Sequence, residues 1–296
     1  MRSRTIDLDG PVHYADFGGA GPTLVLVHGL GGSHVNWLAV APALRRSGRV
    51  LAVDLAGFGR TPLGERSADV HGNRVLLDRF LEAVAPGPAV LVGNSMGGLV
   101  AMMEAALAPQ RVAGLVLVAP AQARSAEARV DGAVAALFAL YALPLVGERV
   151  LRWRARLLGP AGVVRATLAL CCADPARIPP DVVAAHVSLA RERLERMPWA
   201  NRAFVEAARS LAAVTARRSR FDEMVRRITA PTLLVQGERD RLVAAAASRR
   251  LARLRPDWSF EEFPDTGHVP QLEQPARFVA SVERWLAERA PAAAAR

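Results

Sequence analysis

Residues 93–97 read Gly-Asn-Ser-Met-Gly, directly after the apolar run Ala89-Val90-Leu91-Val92 and directly before the helix-like stretch Leu99 to Ala108. A serine at the tip of a strand-to-helix turn sits on strained backbone, so its neighbours two positions away must be small, here Gly93 and Gly97. Such a turn pushes the Ser95 hydroxyl out at the sheet edge, with a helix N-terminus behind it that favours developing negative charge. The chemistry this suits is nucleophilic attack on a carbonyl carbon. In a chain with 23 glycines the five-residue pattern alone is of modest specificity, so its partners must come from elsewhere in the sequence.

A serine hydroxyl is a poor nucleophile at neutral pH and needs a base within hydrogen-bond reach, held in one tautomer by a carboxylate. Of the six histidines, His268 stands on a glycine turn, Asp265-Thr266-Gly267-His268-Val269-Pro270, between a strand-like segment (Ser259 to Phe263) and an amphipathic helix from about Pro275 to Glu288. It is the expected base. His28 opens the turn after Thr23 to Val27 and is expected to brace that loop, whereas His13, His34, His71 and His186 carry no comparable signature. Between Ser95 and His268 the expected acid is Asp240, because the apolar run Thr232 to Val235 followed by a short polar loop delivers it to the same sheet edge. Glu238 is its near rival, and Asp265 is expected to cap the turn before His268. A fourth element is the loop His28-Gly29-Leu30-Gly31-Gly32-Ser33, whose glycines let main-chain N–H groups face inward. The N–H groups of Leu30 and Met96 are the expected oxyanion donors; a plain glycine turn is the alternative.

Taken together, His28-Gly29-Leu30-Gly31, Asp54-Leu55-Ala56-Gly57-Phe58-Gly59, Gly93-Asn94-Ser95-Met96-Gly97-Gly98, Gly237-Glu238-Arg239-Asp240 and Gly267-His268-Val269-Pro270-Gln271-Leu272-Glu273 make the chain resemble a serine-type member of the α/β-hydrolase superfamily over nearly its whole length. In that comparison Asp54 and its glycine turn are structural, and Ala56 departs from the commoner proline. Some relatives carry the acid after the strand that follows the nucleophile helix, but Leu117-Val118-Ala119-Pro120-Ala121 offers no carboxylate there. The resemblance implies hydrolysis of a carboxylic ester. Meta-cleavage hydrolases, which split a carbon–carbon bond, share the serine motif; against them, Val269 replaces the usual aromatic residue and Gly31-Gly32-Ser33 the usual Gly-Pro-Gly. A non-catalytic ligand-binding or interaction protein on the same fold typically loses part of the triad, and here all three members are present. Haloalkane dehalogenases and epoxide hydrolases use an Asp where this chain has Ser95.

Strand-like segments near 4–8, 12–17, 23–28, 50–55, 89–94, 112–119, 232–237 and 259–264 are separated, from the third onward, by helical stretches. This rhythm predicts an α/β architecture with a mostly parallel eight-stranded sheet covered on both faces and an antiparallel start, and the resemblance implies that it is the α/β-hydrolase fold. From about Gln122 to Arg227 it breaks into Pro-punctuated helical periodicity, so the expected organisation is a core of 1–121 and 228–296 with a helical cap, 122–227, over the serine. The cap's apolar stripe, including Phe138 and Tyr141, with Trp153 and Trp199, is expected to roof a pocket for an apolar acyl or alkyl group, or else to pack cap against core. Pro291 to Arg296 reads as a frayed tail.

Composition excludes other classes. With 296 residues and 51% hydrophobic content the chain can bury one large core and is too apolar for disorder. The charge of +10 is carried by arginine alone, with no lysine, a bias that does not call for a nucleic-acid partner. Runs such as Arg152-Trp153-Arg154-Ala155-Arg156 suit a solvated helix face and, weakly, an anionic membrane surface. The adjacent pair Cys171-Cys172 does not argue for an oxidising compartment, the N-terminus has no apolar leader, and no run reaches roughly 18 apolar residues, so a cytoplasmic location is expected. No phosphate loop, Cys/His cluster or nucleotide fingerprint asks for a cofactor or metal. The oligomeric state is not legible.

Overall fold

The computed structural model describes residues 1–123, 131–143 and 145–289; the expected frayed tail and the Pro144 break lie outside them. Eight strands, β1 (Arg2–Asp7), β2 (Pro11–Gly18), β3 (Thr23–Val27), β4 (Arg49–Val53), β5 (Ala89–Asn94), β6 (Val112–Val118), β7 (Thr232–Gly237) and β8 (Ser259–Phe263), form one sheet in the order β1-β2-β4-β3-β5-β6-β7-β8. The pairs β1/β2 and β2/β4 are antiparallel and the rest parallel. The sequence-predicted architecture and its antiparallel start are both present. Strands β3, β5 and β7 are buried at every position, as expected of parallel strands covered on both faces, while β1 is an exposed edge strand rich in charge.

Eleven helices accompany the sheet among the described residues: α1 (Ala41–Leu44), α2 (Val70–Val84), α3 (Met96–Leu107), α4 (Gly132–Ala142), α5 (Val146–Cys171), α6 (Pro180–Arg196), α7 (Ala200–Ala216), α8 (Arg218–Arg226), α9 (Ala245–Leu254), α10 (Pro270–Glu273) and α11 (Pro275–Arg289). Helix α3 is apolar nearly all round and is buried from Met96 to Ala105 between sheet and neighbouring helices. One core lies on the α2, α3 and α8 face of the sheet, around Leu77, Phe80, Leu99 and Val225. The other lies on the α1 and α11 face, around Trp37, Leu44, Phe278 and Trp285.

Helices α4 to α8 lie between β6 and β7. The apolar stretch Gly132 to Gly147 is divided between α4, which ends at Ala142, and α5, which begins at Val146. Helix α5 itself breaks at Gly159 (φ 60°, ψ 175°), with Pro160 opening its second half. That half packs with α6 in a third cluster, in which Val164, Leu168 and Val182 meet Val269 and Leu272 beside His268. Helix α8 returns to the sheet side, with Phe221 and Val225 in the main core. Among the described residues no single helix is long and apolar enough to cross a membrane.

Because β4, β3, β5, β6, β7 and β8 run parallel and adjacent, their carboxyl ends open on one edge. Val27, Asn94, Gly237 and Phe263 end the four strands whose following loops carry Leu30, Ser95, Asp240 and His268.

Candidate active site

Ser95 has φ 55° and ψ −118°, a left-sided conformation that costs a non-glycine residue about 1–3 kcal/mol and marks a site the surroundings over-determine. Its N–H donates to the Val118 carbonyl (3.0 Å), and its own carbonyl accepts from Leu99 (3.2 Å) and Ala121 (2.9 Å). Gly97 must be glycine because a Cβ there would run into the carbonyl oxygens of Val27 and His28. The side chain of Asn94 donates to the carbonyls of Val118 (3.0 Å) and His268 (3.2 Å), tying the serine turn to the histidine loop. Sequence reasoning did not find that strut, since Asn at a G-x-S-x-G wildcard position carries no signal.

His268 Nδ1 lies 2.7 Å from Asp240 Oδ2, both side chains buried. The Asp240 carboxylate is held by the N–H groups of Leu242 (2.8 Å) and Val243 (2.9 Å) on Oδ1 and by Gln236 Nε2 (3.0 Å) on Oδ2. Gln236 in turn accepts from Ser248, which accepts from Gln122, so the loop after β6 braces the one after β7. The rivals point elsewhere. Glu238 accepts from the Asp265 N–H at 3.1 Å, and Asp265 pairs with Arg239 at 3.5 Å in solvent. The expectation that Asp265 caps the turn before His268 is corrected: the buried Glu273 accepts from the N–H of Gly267 (2.8 Å) and of Ala173 (2.9 Å and 2.8 Å to its two oxygens). Its carboxyl is shifted up, burial outweighing the backbone donors. Glu273 closes the motif Gly267 to Glu273 in the sequence, but nothing there shows that its carboxylate turns back onto the histidine loop.

Gly29 O accepts from Gly32 N (3.0 Å), which makes residues 29–32 a β-turn with Leu30 and Gly31 at its centre; Gly31 has a positive φ (73°), which glycine adopts without steric cost. The Leu30 N–H belongs to this turn, beside the serine: a Cβ on Gly29 would stand 3.0 Å from Ser95 Cβ. Met96 is the first residue of α3, so its N–H is one of those with no partner inside the helix. His28 braces the turn, accepting from Leu55 N on Nε2 (3.1 Å) and donating from Nδ1 to Gly29 O (2.8 Å). Burial lowers its pKa, which keeps it neutral in that role.

Asp54 is the hub beneath. It accepts from His13 Nδ1 (2.7 Å), His34 N (2.6 Å), His34 Nδ1 (2.9 Å) and Arg60 N (2.9 Å). Burial alone would raise its carboxyl, but the hydrogen bonds from His13 and His34 hold it far below the ordinary carboxylate range. The three side chains offer ligand atoms within 4.8 Å of one another, a spacing that could hold a cation; with both oxygens already taken by N–H donors, the arrangement reads as a hydrogen-bonded brace.

Above the turn, Phe204 of α7 approaches within 3.0 Å of where a Cβ on Gly31 would be. Its ring meets Tyr141 edge-on at 5.8 Å, and Tyr141 meets Phe138 at 6.4 Å. Tyr141 is buried, its hydroxyl 3.2 Å from Arg154 Nη1, and Phe138 is linked to Phe204 through it. Phe204 was missed because the periodicity of α7 does not mark which of its apolar residues faces the turn. Trp199 is half-buried against the core, whereas Trp153, 64% exposed, stands at the outer margin of the helices between β6 and β7, on the wall of an apolar groove that Tyr141 also lines.

The chain belongs to the alpha/beta hydrolase fold family, whose model matches residues 22–275, and it is a hydrolase of that family. It is 28% identical over 268 residues to the pimeloyl-[acyl-carrier protein] methyl ester esterase of Aeromonas hydrophila, covering 90% of this chain and 96% of that one. It is 30% identical over 265 residues to the dihydrolipoyllysine-residue acetyltransferase component of the acetoin cleaving system of Pseudomonas putida, covering 88% of this chain but only 63% of that longer one. Among solved structures it resembles an esterase from Thermogutta terrifontis, with TM-score 0.69, 25% identity, and coverage of 97% and 99%.

Proposed function

We propose that the chain hydrolyses a carboxylic ester with an apolar acyl or alkyl group by way of an acyl-enzyme. The observation that carries the reading is the 2.7 Å His268 Nδ1 to Asp240 Oδ2 bond, at the sheet edge where Ser95 stands on its strained turn. With Nδ1–H given to the carboxylate, Nε2 is the ring atom left to act as base. Ser95 Oγ attacks the ester carbonyl as His268 takes its proton; the carbonyl oxygen becomes an oxyanion held by the N–H groups of Leu30 and Met96. Collapse expels the alcohol, which receives the proton from His268. Water then attacks the acyl-serine by the same route and regenerates Ser95. In this reading 122–227 is a cap, and Phe204, Tyr141 and Phe138 line its underside.

Intact-mass spectrometry after a fluorophosphonate probe tests it, with a p-nitrophenyl ester panel and one dienol-diketone substrate. One adduct, absent in Ser95→Ala, and ester turnover lost in the same variant are expected. Labelling that persists in Ser95→Ala would overturn the nucleophile, and turnover of the diketone without any ester would assign carbon–carbon cleavage instead.

A further inference from the structure

Single exposed apolar side chains are ordinary, but here they are gathered in one place. Of the eleven large apolar residues exposed among the described ones, seven fall between Leu140 and Leu158, with Trp153 64% and Leu157 65% exposed. On the first half of α5, Val146, Val150, Trp153 and Leu157 follow at i, i+4, i+7 and i+11 and share one face. Arg149, Arg152 and Arg156 flank that face, all exposed. Arg152 pairs with Glu148 at 3.5 Å, whereas Arg149 and Arg156 have no carboxylate partner among the described residues. From Val146 to Leu158 four arginines stand against one glutamate, a net +3. Alongside runs a groove of about 600 Å³ walled by Leu137, Leu140, Trp153 and Leu170, with Arg241, the neighbour of Asp240, at its margin.

The chemistry of this face selects its occupant. A second copy packed face to face would set the arginine rows against each other, which is unfavourable. An anionic lipid surface meets them with phosphates, which the planar guanidinium binds through two N–H groups, and accepts an indole at the headgroup boundary. Geometry decides between lying on and crossing a bilayer: α4 and α5 satisfy the apolar length of a span only together, and they are bent by 111°. An arm of that shape with charge along one edge lies in the interface.

We infer that the α4–α5 arm docks on anionic membrane surfaces, Trp153 and Leu157 entering the boundary between headgroups and acyl chains while Arg149, Arg152 and Arg156 engage lipid phosphates. This does not depend on which bond the active site cleaves. The test is flotation and tryptophan fluorescence of the whole chain with phosphatidylcholine vesicles with and without phosphatidylglycerol. Binding to the anionic vesicles is expected, weakening with salt. A blue shift should accompany it and disappear in Trp153→Phe, because Trp37, Trp258 and Trp285 are buried and Trp199 is half-buried. Replacing the three arginines by glutamine should lower partitioning about a hundredfold, roughly fivefold for each charge near the surface. Leu157→Ser should weaken binding while leaving turnover of a water-soluble acetate ester unchanged. No binding to anionic vesicles, binding indifferent to the three arginines, or a blue shift that survives without Trp153 would overturn the inference. Self-association abolished by Leu157→Ser would overturn it too, assigning the face to a second copy.

Discussion

The main-chain N–H of His268 donates to the carbonyl of Cys171 across 2.6 Å, so the histidine of the candidate site is held by the last turn of α5, almost a hundred positions earlier in the chain. Gly267 is pressed so closely on this helix end that a Cβ would collide with the main chain of 171–173. Glu273 closes the clasp by accepting from Gly267 and Ala173 together. The thiols take no part; burial pushes that of Cys171 up to about 12, so it stays protonated.

Glu273→Gln should therefore loosen the histidine loop. One amide oxygen replaces a carboxylate that serves two N–H donors, and a charge-assisted hydrogen bond contributes about 1.5–3 kcal/mol. A lower melting temperature, and a kcat depressed more than KM is raised, are expected from thermal melts and ester kinetics. Unchanged kcat would show that the clasp does not position the histidine.

Asp240→Asn should lower turnover by about two to four decades, since an amide favours the wrong imidazole tautomer, with the fold intact by circular dichroism. Glu238→Gln and Asp265→Asn should stay near wild type, because their carboxylates face solvent and each other's loop. If Asp265→Asn is the damaging change, the acid has been misassigned.

Much of this was legible beforehand for a physical reason. All eight strands fall within two residues of the segments read from the sequence; for β3, β5 and β7 the reason is that parallel strands buried on both faces are continuous apolar runs, which leave little ambiguity between strand and loop. Ser95, Asp240 and His268 each stand at a strand's carboxyl end, where glycine turns advertise themselves. What the sequence hid are contacts between distant segments: Asn94 with His268, Cys171 with His268, and Phe204 over Gly31. Helix periodicity tells that α7 has an apolar face, not which element that face meets. The same limit explains Trp153, apolar by type and outward by position.

Phe204→Ala should change chain-length preference. If the ring covers the acyl chain near Gly31, its loss removes binding only from substrates long enough to touch it, about 0.8 kcal/mol or roughly fourfold in kcat/KM per uncovered methylene. The ratio of octanoate to acetate turnover should fall, and truncating Tyr141 or Phe138 should move it in the same direction. A uniform loss with a drop in melting temperature would mean these rings only pack one layer on another.

Glu104 makes stability pH-dependent. It is fully buried in α3 with Arg74 at 3.4 Å, and burial, aided by repulsion from Asp78, raises its pKa to about 7 from an ordinary 4.5. The folded state then binds more protons than the unfolded one between those values, so this group's contribution favours folding below about pH 4.5 and is lost as pH rises through 7. Glu104→Gln should raise the melting temperature at pH 8 and flatten its slope between pH 5 and 7. A slope unchanged in the variant would mean that Arg74 already neutralises the carboxylate.

The clasp on His268 is made by a main-chain carbonyl, so what it constrains is chain length and not residue identity. From Pro160 to Cys171 one inserted residue would swing the Cys171 carbonyl about 100° around the helix axis and off its donor. Ahead of the break at Gly159, whole turns can be gained or lost without moving that carbonyl. The arm before Gly159 should thus tolerate insertions and deletions of whole turns, while the segment from Pro160 to Cys171 should tolerate substitutions only at constant length.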